Sequence, residues 1–168
     1  KKNNIAWNEY QTNGIIRKLK SRENWEKLWE QKMTETPKIV NETNWNIIKL
    51  DDTIYTILKG EDLDKEITTR NKNFQEGGEY WAWRYMDSFI KERYINYSKH
   101  ISKPLLSRKG CSRLSPYITY GNISMRMVYQ YTKQHYTKAE NKIAIGNFVS
   151  RLHWHCHFIQ KFEDECQY

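Results

Sequence analysis

The strongest constraint on the fold is one long periodic run, from residue 138 to about 164. Ile145, Phe148, Val149, Leu152, Cys156, Ile159 and Phe162 recur at helical spacing and form a single apolar stripe. A helix of that length extends roughly 40 Å at 1.5 Å per residue, so the chain has to supply cover along most of it. A second face of the same run carries Arg151, Trp154, His155 and Phe158, at offsets of three, four and seven from Arg151. One helix is therefore expected to serve the core on one side and chemistry on the other.

Shorter helices are expected to provide the cover. Trp25, Leu28, Trp29 and Met33 share one face of a helix that starts after a Ser21 cap, with Asn24 at its third position. It ends before Thr36-Pro37, because a residue preceding proline avoids helical geometry. Gly77-Gly78-Glu79 opens another helix, whose stripe is Ala82, Trp83, Met86, Phe89, Ile90 and Tyr94. Ser124 caps a helix bearing Met125, Val128, Tyr129 and Tyr131. Residues 38–73 are less defined: Val40, Trp45, Ile47, Ile48, Leu50, Ile54, Ile57 and Leu58 fit short helices or an extended linker equally well. The charged stretch 61–66 reads as a solvated helix face. Near the start, the polar and aromatic segment 7–14 closes on an Asn13-Gly14 turn. The expected fold is all-α, an irregular helical bundle, with residues 1–168 as a single helical domain.

Composition agrees with a packed helical chain. Aromatics make up 14% of the 168 residues, and only three prolines and seven glycines interrupt them, which argues against disorder. No apolar run approaches the roughly 20 residues needed to span a membrane. No signal peptide is visible, and the sequence starts at Lys1 rather than Met. The three cysteines follow no disulfide spacing, so a reducing, cytoplasmic setting is expected. The net charge of +8 is concentrated in one half. Residues 1–96 carry 17 Lys/Arg against 16 Asp/Glu, whereas residues 97–168 carry 11 against 4. A basic half suits a polyanion, a phosphate-bearing cofactor or a plain solvated surface.

The candidate chemistry lies at Gly110-Cys111-Ser112-Arg113-Leu114-Ser115-Pro116-Tyr117, continuing Ile118-Thr119-Tyr120-Gly121-Asn122-Ile123-Ser124. Ser115 before Pro116 reads as an N-cap with proline at the first helical position. Free amides at a helix start, with Arg113 beside them, form an anion site; an ordinary cap facing water is the alternative. On the long helix, His153 and His157 share a face, but the run contains no third ligand and no zinc-protease glutamate, so no metal is assigned.

The run from Cys111 to Tyr117, followed by Tyr120-Gly121-Asn122-Ile123-Ser124, resembles the flavin diphosphate loop of the DNA photolyase and cryptochrome family. That family's pattern is Thr-Ser-x-Leu-Ser-Pro-Tyr-Leu, then Phe-Gly-x-Ile-Ser. The Gly-Gly-Glu helix start, Tyr97, Pro104 and the Trp154 helix are similar to the family in the same order. The resemblance implies FAD as cofactor, with Tyr97, Cys111, Ser112, Arg113, Leu114, Ser115, Phe148, Arg151 and His155 as flavin-site residues. Cys111 stands where the family has Thr. Trp154 matches a residue that stacks on a pyrimidine dimer in DNA, and Arg151 takes the place of a lesion-binding carboxylate.

The expected parent protein is thus a deoxyribodipyrimidine photolyase-like flavoprotein, a carbon-carbon lyase driven by blue light. By the same resemblance the chain is part of a flavin domain, without the antenna domain or the closing helical half; FAD is expected in the parent protein, while the chain alone is expected to be inactive and not to retain flavin well. A cryptochrome-like photoreceptor and a flavin-free basic nucleic-acid-binding helical module are the alternatives.

Overall fold

A computed structural model describes residues 14–38, 51–60 and 62–166. Among these residues the chain is all-helical and has no strand. The helices are α1 (Trp25–Thr34), α2 (Asp52–Lys59), α3 (Lys65–Thr68), α4 (Glu79–Lys91) and α5 (Tyr97–His100). After these come α6 (Pro104–Gly110), α7 (Ser115–Thr119), α8 (Met125–Tyr136) and α9 (Lys142–Glu165), and a 3₁₀ turn over Arg93–Asn96 links α4 to α5. The chain divides into two compact units, residues 1–37 with 77–168, and residues 38–76. No described helix is long and apolar enough to cross a membrane.

In the first unit α9 is the spine. Asn141 caps it by accepting the Ala144 N–H at 3.0 Å. Ala144, Ile145, Phe148, Leu152 and Cys156 are buried along its stripe, against α5, α8 and the 3₁₀ turn. Each large side chain so buried stabilises the fold by about 1.5–3 kcal/mol. The stripe departs from expectation at its far end, where Phe162 is 72% exposed and Gln160 is fully buried. The partner there is a backbone segment and not an apolar helix. Gln160 Oε1 accepts the Ile16 N–H at 2.7 Å, and its Nε2 donates to the Ile16 carbonyl at 2.8 Å. One amide thereby satisfies both backbone groups of a residue 144 positions away.

α1 buries Trp25, Trp29 and Met33 as expected, but it starts from Asn24, not Ser21, and leaves Leu28 exposed. The Ser21 hydroxyl instead accepts the Glu23 N–H in a local turn. The helix C-terminus is capped from α8, where Gln130 Nε2 donates to the Met33 and Glu35 carbonyls at 2.8 Å each. Arg126 Nε does the same for Lys32. His153 and His157 pack on the α1 indoles, with His153 4.8 Å from Trp29 and 5.1 Å from Trp25. The rings of this histidine pair are thus used in packing. Gly14 has φ 67°, as its turn requires, and an added Cβ would lie 2.8 Å from Trp29 Cδ1. Residues 7–13 of that segment lie outside the described residues.

α4 starts from Gly78 and buries Ala82, Met86, Phe89 and Ile90, with Trp83 half-buried. A polar staple joins it to α8: the half-buried Tyr131 hydroxyl donates to Asp87 at 2.5 Å, and Lys91 pairs with the same carboxylate. The Lys91 and Tyr131 bonds hold the Asp87 carboxyl below its usual range. Burial, then Asp87 itself, pushes Tyr131 up to about 12.

The second unit contains α2 and α3, capped by Asp51 and Asp64. Ile54, Ile57 and Leu58 are exposed, while Val40, Trp45, Ile47, Ile48 and Leu50 lie outside the described residues. Of the charged stretch 61–66, Glu61 lies outside the described residues; among residues 62–66 Lys65 and Glu66 are helical and Asp64 is their cap.

Replacing Gln160 with Ala leaves the Ile16 N–H and carbonyl without their partner. The unfolding free energy, read by urea denaturation, is expected to fall by about 1–3 kcal/mol.

Candidate functional site

The expected anion loop joins α6 to α7. Gly110 is the last residue of α6 and not a turn glycine; it is required by contact. A Cβ there would lie 2.2 Å from His100 Nδ1, so only glycine lets α6 pack on α5. Beyond it Cys111 is extended, at φ −99° and ψ 163°. Arg113 then turns left-handed at φ 64°, and Leu114 follows in the right-handed region at φ −89°, ψ −12°. Such an alternating pair aims successive N–H groups to one side and makes an anion-binding nest.

This geometry moves the helix start by one residue. Leu114, not Ser115, occupies the cap position of α7, and Ser115 is its first residue. Leu114 is buried beside Tyr117 in the core, which seats the loop, while the Ser115 hydroxyl makes no capping bond and is exposed. The expected Ser115 cap is thus replaced by an apolar anchor with a hydroxyl beside it.

A residue that sequence reasoning missed holds the loop in shape. The half-buried Arg93 guanidinium donates to the Cys111 carbonyl, to the Ser112 carbonyl at 3.4 Å and to the Tyr85 carbonyl at 2.7 Å. It also donates to Ser88 Oγ and lies over the Phe89 and Tyr85 rings. A non-glycine residue in the left-handed region costs about 1–2 kcal/mol, and Arg93 is the tether that offsets it. The sequence carries no signal for this role, because the partners are backbone carbonyls brought near only by folding.

Tyr97 connects the loop to α9. It is buried, edge-on to Phe89 at 5.5 Å and to Phe148 at 5.6 Å. Burial pushes its hydroxyl up to about 12; the Cys111 thiol adds to the shift and Arg151 opposes it. Burial likewise raises the Cys111 thiol, against the pull of Arg93 and Arg113, so at neutral pH it stays protonated. Tyr97, Cys111, Arg113 and Arg151 are therefore electrostatic neighbours. Phe148 is a core residue, as its place in the apolar stripe of α9 leads one to expect, 4.6 Å from Phe89.

The second face of α9 is exposed throughout. The Arg151 guanidinium lies 4.5 Å from the Trp154 ring centroid, and Trp154 is edge-on to Phe158 at 6.1 Å. His155 is on the same face, and partial burial lowers its basicity. Together these groups can bind an anion through amides and guanidinium, and can stack a planar ring.

Among the described residues the chain is all-helical, with a hydroxyl- and arginine-bearing loop at 111–115 and an exposed aromatic face on α9. No protein-family model matches the chain, and no solved structure matches it. It is similar to the deoxyribodipyrimidine photo-lyase of Alkalihalophilus pseudofirmus, 27% identical over 152 residues. The match takes in 84% of this chain and 29% of that relative, so the chain spans less than a third of the relative's length.

Tyr97 gives the site a pH signature. Its ordinary value near 10 applies in the unfolded chain and about 12 in the folded one, so the unfolded state ionises first. Stability from this group is intact below pH 10 and is lost as pH rises towards 12. Tyr97→Phe is expected to flatten the fall in stability over that window, followed by circular dichroism and tyrosinate absorbance.

Proposed function

We propose that the chain is part of the FAD-binding helical region of a deoxyribodipyrimidine photolyase-like flavoprotein acting on pyrimidine dimers in DNA. The observation that carries this reading is the 111–115 loop. Its left-handed Arg113, the following right-handed Leu114 and the guanidiniums beside them form a cationic, amide-lined cradle of the kind a diphosphate fits. The similarity to a photo-lyase over most of the chain supports it.

In this reading Ser112, Arg113, Leu114 and Ser115 would hold the diphosphate, Cys111 would stand where the family has Thr, and Tyr97 would stand behind. Arg93 keeps the loop in that shape. Trp154, 46% exposed, offers its ring to a base turned out of the duplex. When bound, the flavin supplies light absorption and the electron. The protein's part is to bind, orient and stack.

One observation favours a second reading, a cryptochrome-like photoreceptor without repair. Arg151 covers Trp154 where the resembling repair enzymes carry a carboxylate, and a guanidinium cannot accept hydrogen bonds from lesion bases.

The test is titration of FAD into the 168-residue chain, followed by flavin fluorescence, with Arg113→Ala alongside. Binding that weakens about tenfold or more in the variant is expected, the scale of one lost charge-assisted hydrogen bond. Absence of flavin from the complete gene product, or binding to the chain indifferent to Arg113→Ala and Ser112→Ala, overturns the flavin reading and favours a flavin-free basic module. Loss of dimers from ultraviolet-treated DNA under blue light then separates repair from reception.

A further inference from the structure

The second unit leaves its apolar side chains uncovered. Among residues 51–60 and 62–74 none is buried. On α2, Ile54, Ile57 and Leu58 lie at i, i+3 and i+4 and form one face, with Ile57 74% and Leu58 68% exposed. A helix of eight residues is shorter than the roughly 12–15 needed for stability in water, so this face calls for cover. Its flanks are acidic: residues 51–66 carry six Asp/Glu against two Lys, and Asp51 accepts the Ile54 N–H at 2.9 Å at the helix start. That charge repels nucleic acid, an anionic membrane and a second α2 alike. A short helix with such anchors fits an apolar patch rimmed by cations. The first unit carries a patch of that kind. Leu105 on α6 is 83% exposed, and Arg108 and Lys109 share its face at i+3 and i+4. Leu106 is exposed beside it, as are Lys99 on α5 and Lys103 at the α6 cap position. Residues 99–109 hold four Lys/Arg and no Asp/Glu.

We propose that α2 of one chain docks on the α5–α6 face of a second copy, Ile57 and Leu58 against Leu105 and Leu106, with the acidic flanks of α2 facing Lys103, Arg108 and Lys109. The inference is independent of the flavin reading and uses neither the 111–115 loop nor Trp154. Unlike faces meet, so the contact is heterologous: each chain offers one helix and one receiving face, and copies add head to tail or close a ring. Apolar burial supplies the attraction, while charge selects the partner and the register. Only a few large side chains are covered on each side, against roughly 20–30 residues in a standard interface, so the association is weak and concentration-dependent. The net charge of +8 on every copy opposes it at long range, and the local pairing of opposite signs offsets that repulsion.

The test is sedimentation velocity of the full 168-residue chain at rising concentration, where the mass is expected to double or more. Ile57→Gln with Leu58→Gln removes the α2 face, and Leu105→Gln with Leu106→Gln removes the α6 face. Each double variant is expected to stay monomeric by itself. Mixed in equal amounts, the two regain one complementary pair of faces and are expected to form a 1:1 dimer. Glutamine keeps helix propensity and all four side chains are exposed, so the core is untouched; circular dichroism checks that each variant is folded. A second route leaves the leucines in place: Arg108→Glu with Lys109→Glu is expected to abolish the association. An unaltered chain that remains monomeric throughout overturns the proposal. Association that survives either glutamine variant or the charge reversal also overturns it, because the copies then meet elsewhere. So does a mixture that stays monomeric. Each of these failures leaves the flavin reading standing.

Discussion

The candidate site depends on how one half-buried guanidinium is satisfied. The Arg93 hydrogens go to the carbonyls of Tyr85, Cys111 and Ser112 and to Ser88 Oγ. Desolvation lowers its pKa, and the ring faces of Phe89 and Tyr85 take part of its field. A charge so placed is satisfied by loop carbonyls turned inward, those of Cys111 and Ser112. The left-handed Arg113 follows from that demand, as the residue that reverses the chain between the inward Cys111 carbonyl and the buried Leu114.

The same economy appears along α9. Its inner stripe packs against α5 and α8, and its outer face carries Arg151, Trp154 and Phe158. A helix of 24 residues fixed over its whole length by core contacts holds those outer side chains more firmly than a loop could. Each end is secured differently: Asn141 caps the first turn, and Gln160 clasps the Ile16 backbone near the last. Arg17 and Arg22 add ion pairs to Glu163, Asp164 and Glu165; these are largely solvent-exposed and contribute little by comparison.

Much of the fold was legible because periodicity is a one-dimensional signal. The α9 stripe, the Gly78 start of α4 and the Ser124 cap of α8 each follow from residue spacing and local hydrogen bonding. Errors fell where a distant partner overruled the local pattern. Phe162 fits the stripe but has no neighbour to bury it, and Gln160, polar and off pattern, is buried because Ile16 needs it. Gly110, the first residue of the loop run, is required by its contact with His100, which the local sequence does not reveal. Ser115 before Pro116 reads as a cap, yet the buried Leu114 takes that place.

By itself, then, the sequence determined an all-helical chain, its long two-faced helix and the position of a loop rich in hydroxyl and guanidinium groups. Those features are set by side-chain period and by residue chemistry within a few positions of each other. The tertiary structure alone decided that Arg93 shapes the loop, that Phe148 meets Phe89 in the core, and that Tyr97 links Cys111 to Arg151. These relations join residues from 14 to 59 positions apart, and only the packing of α4, α5 and α9 brings them within reach of one another.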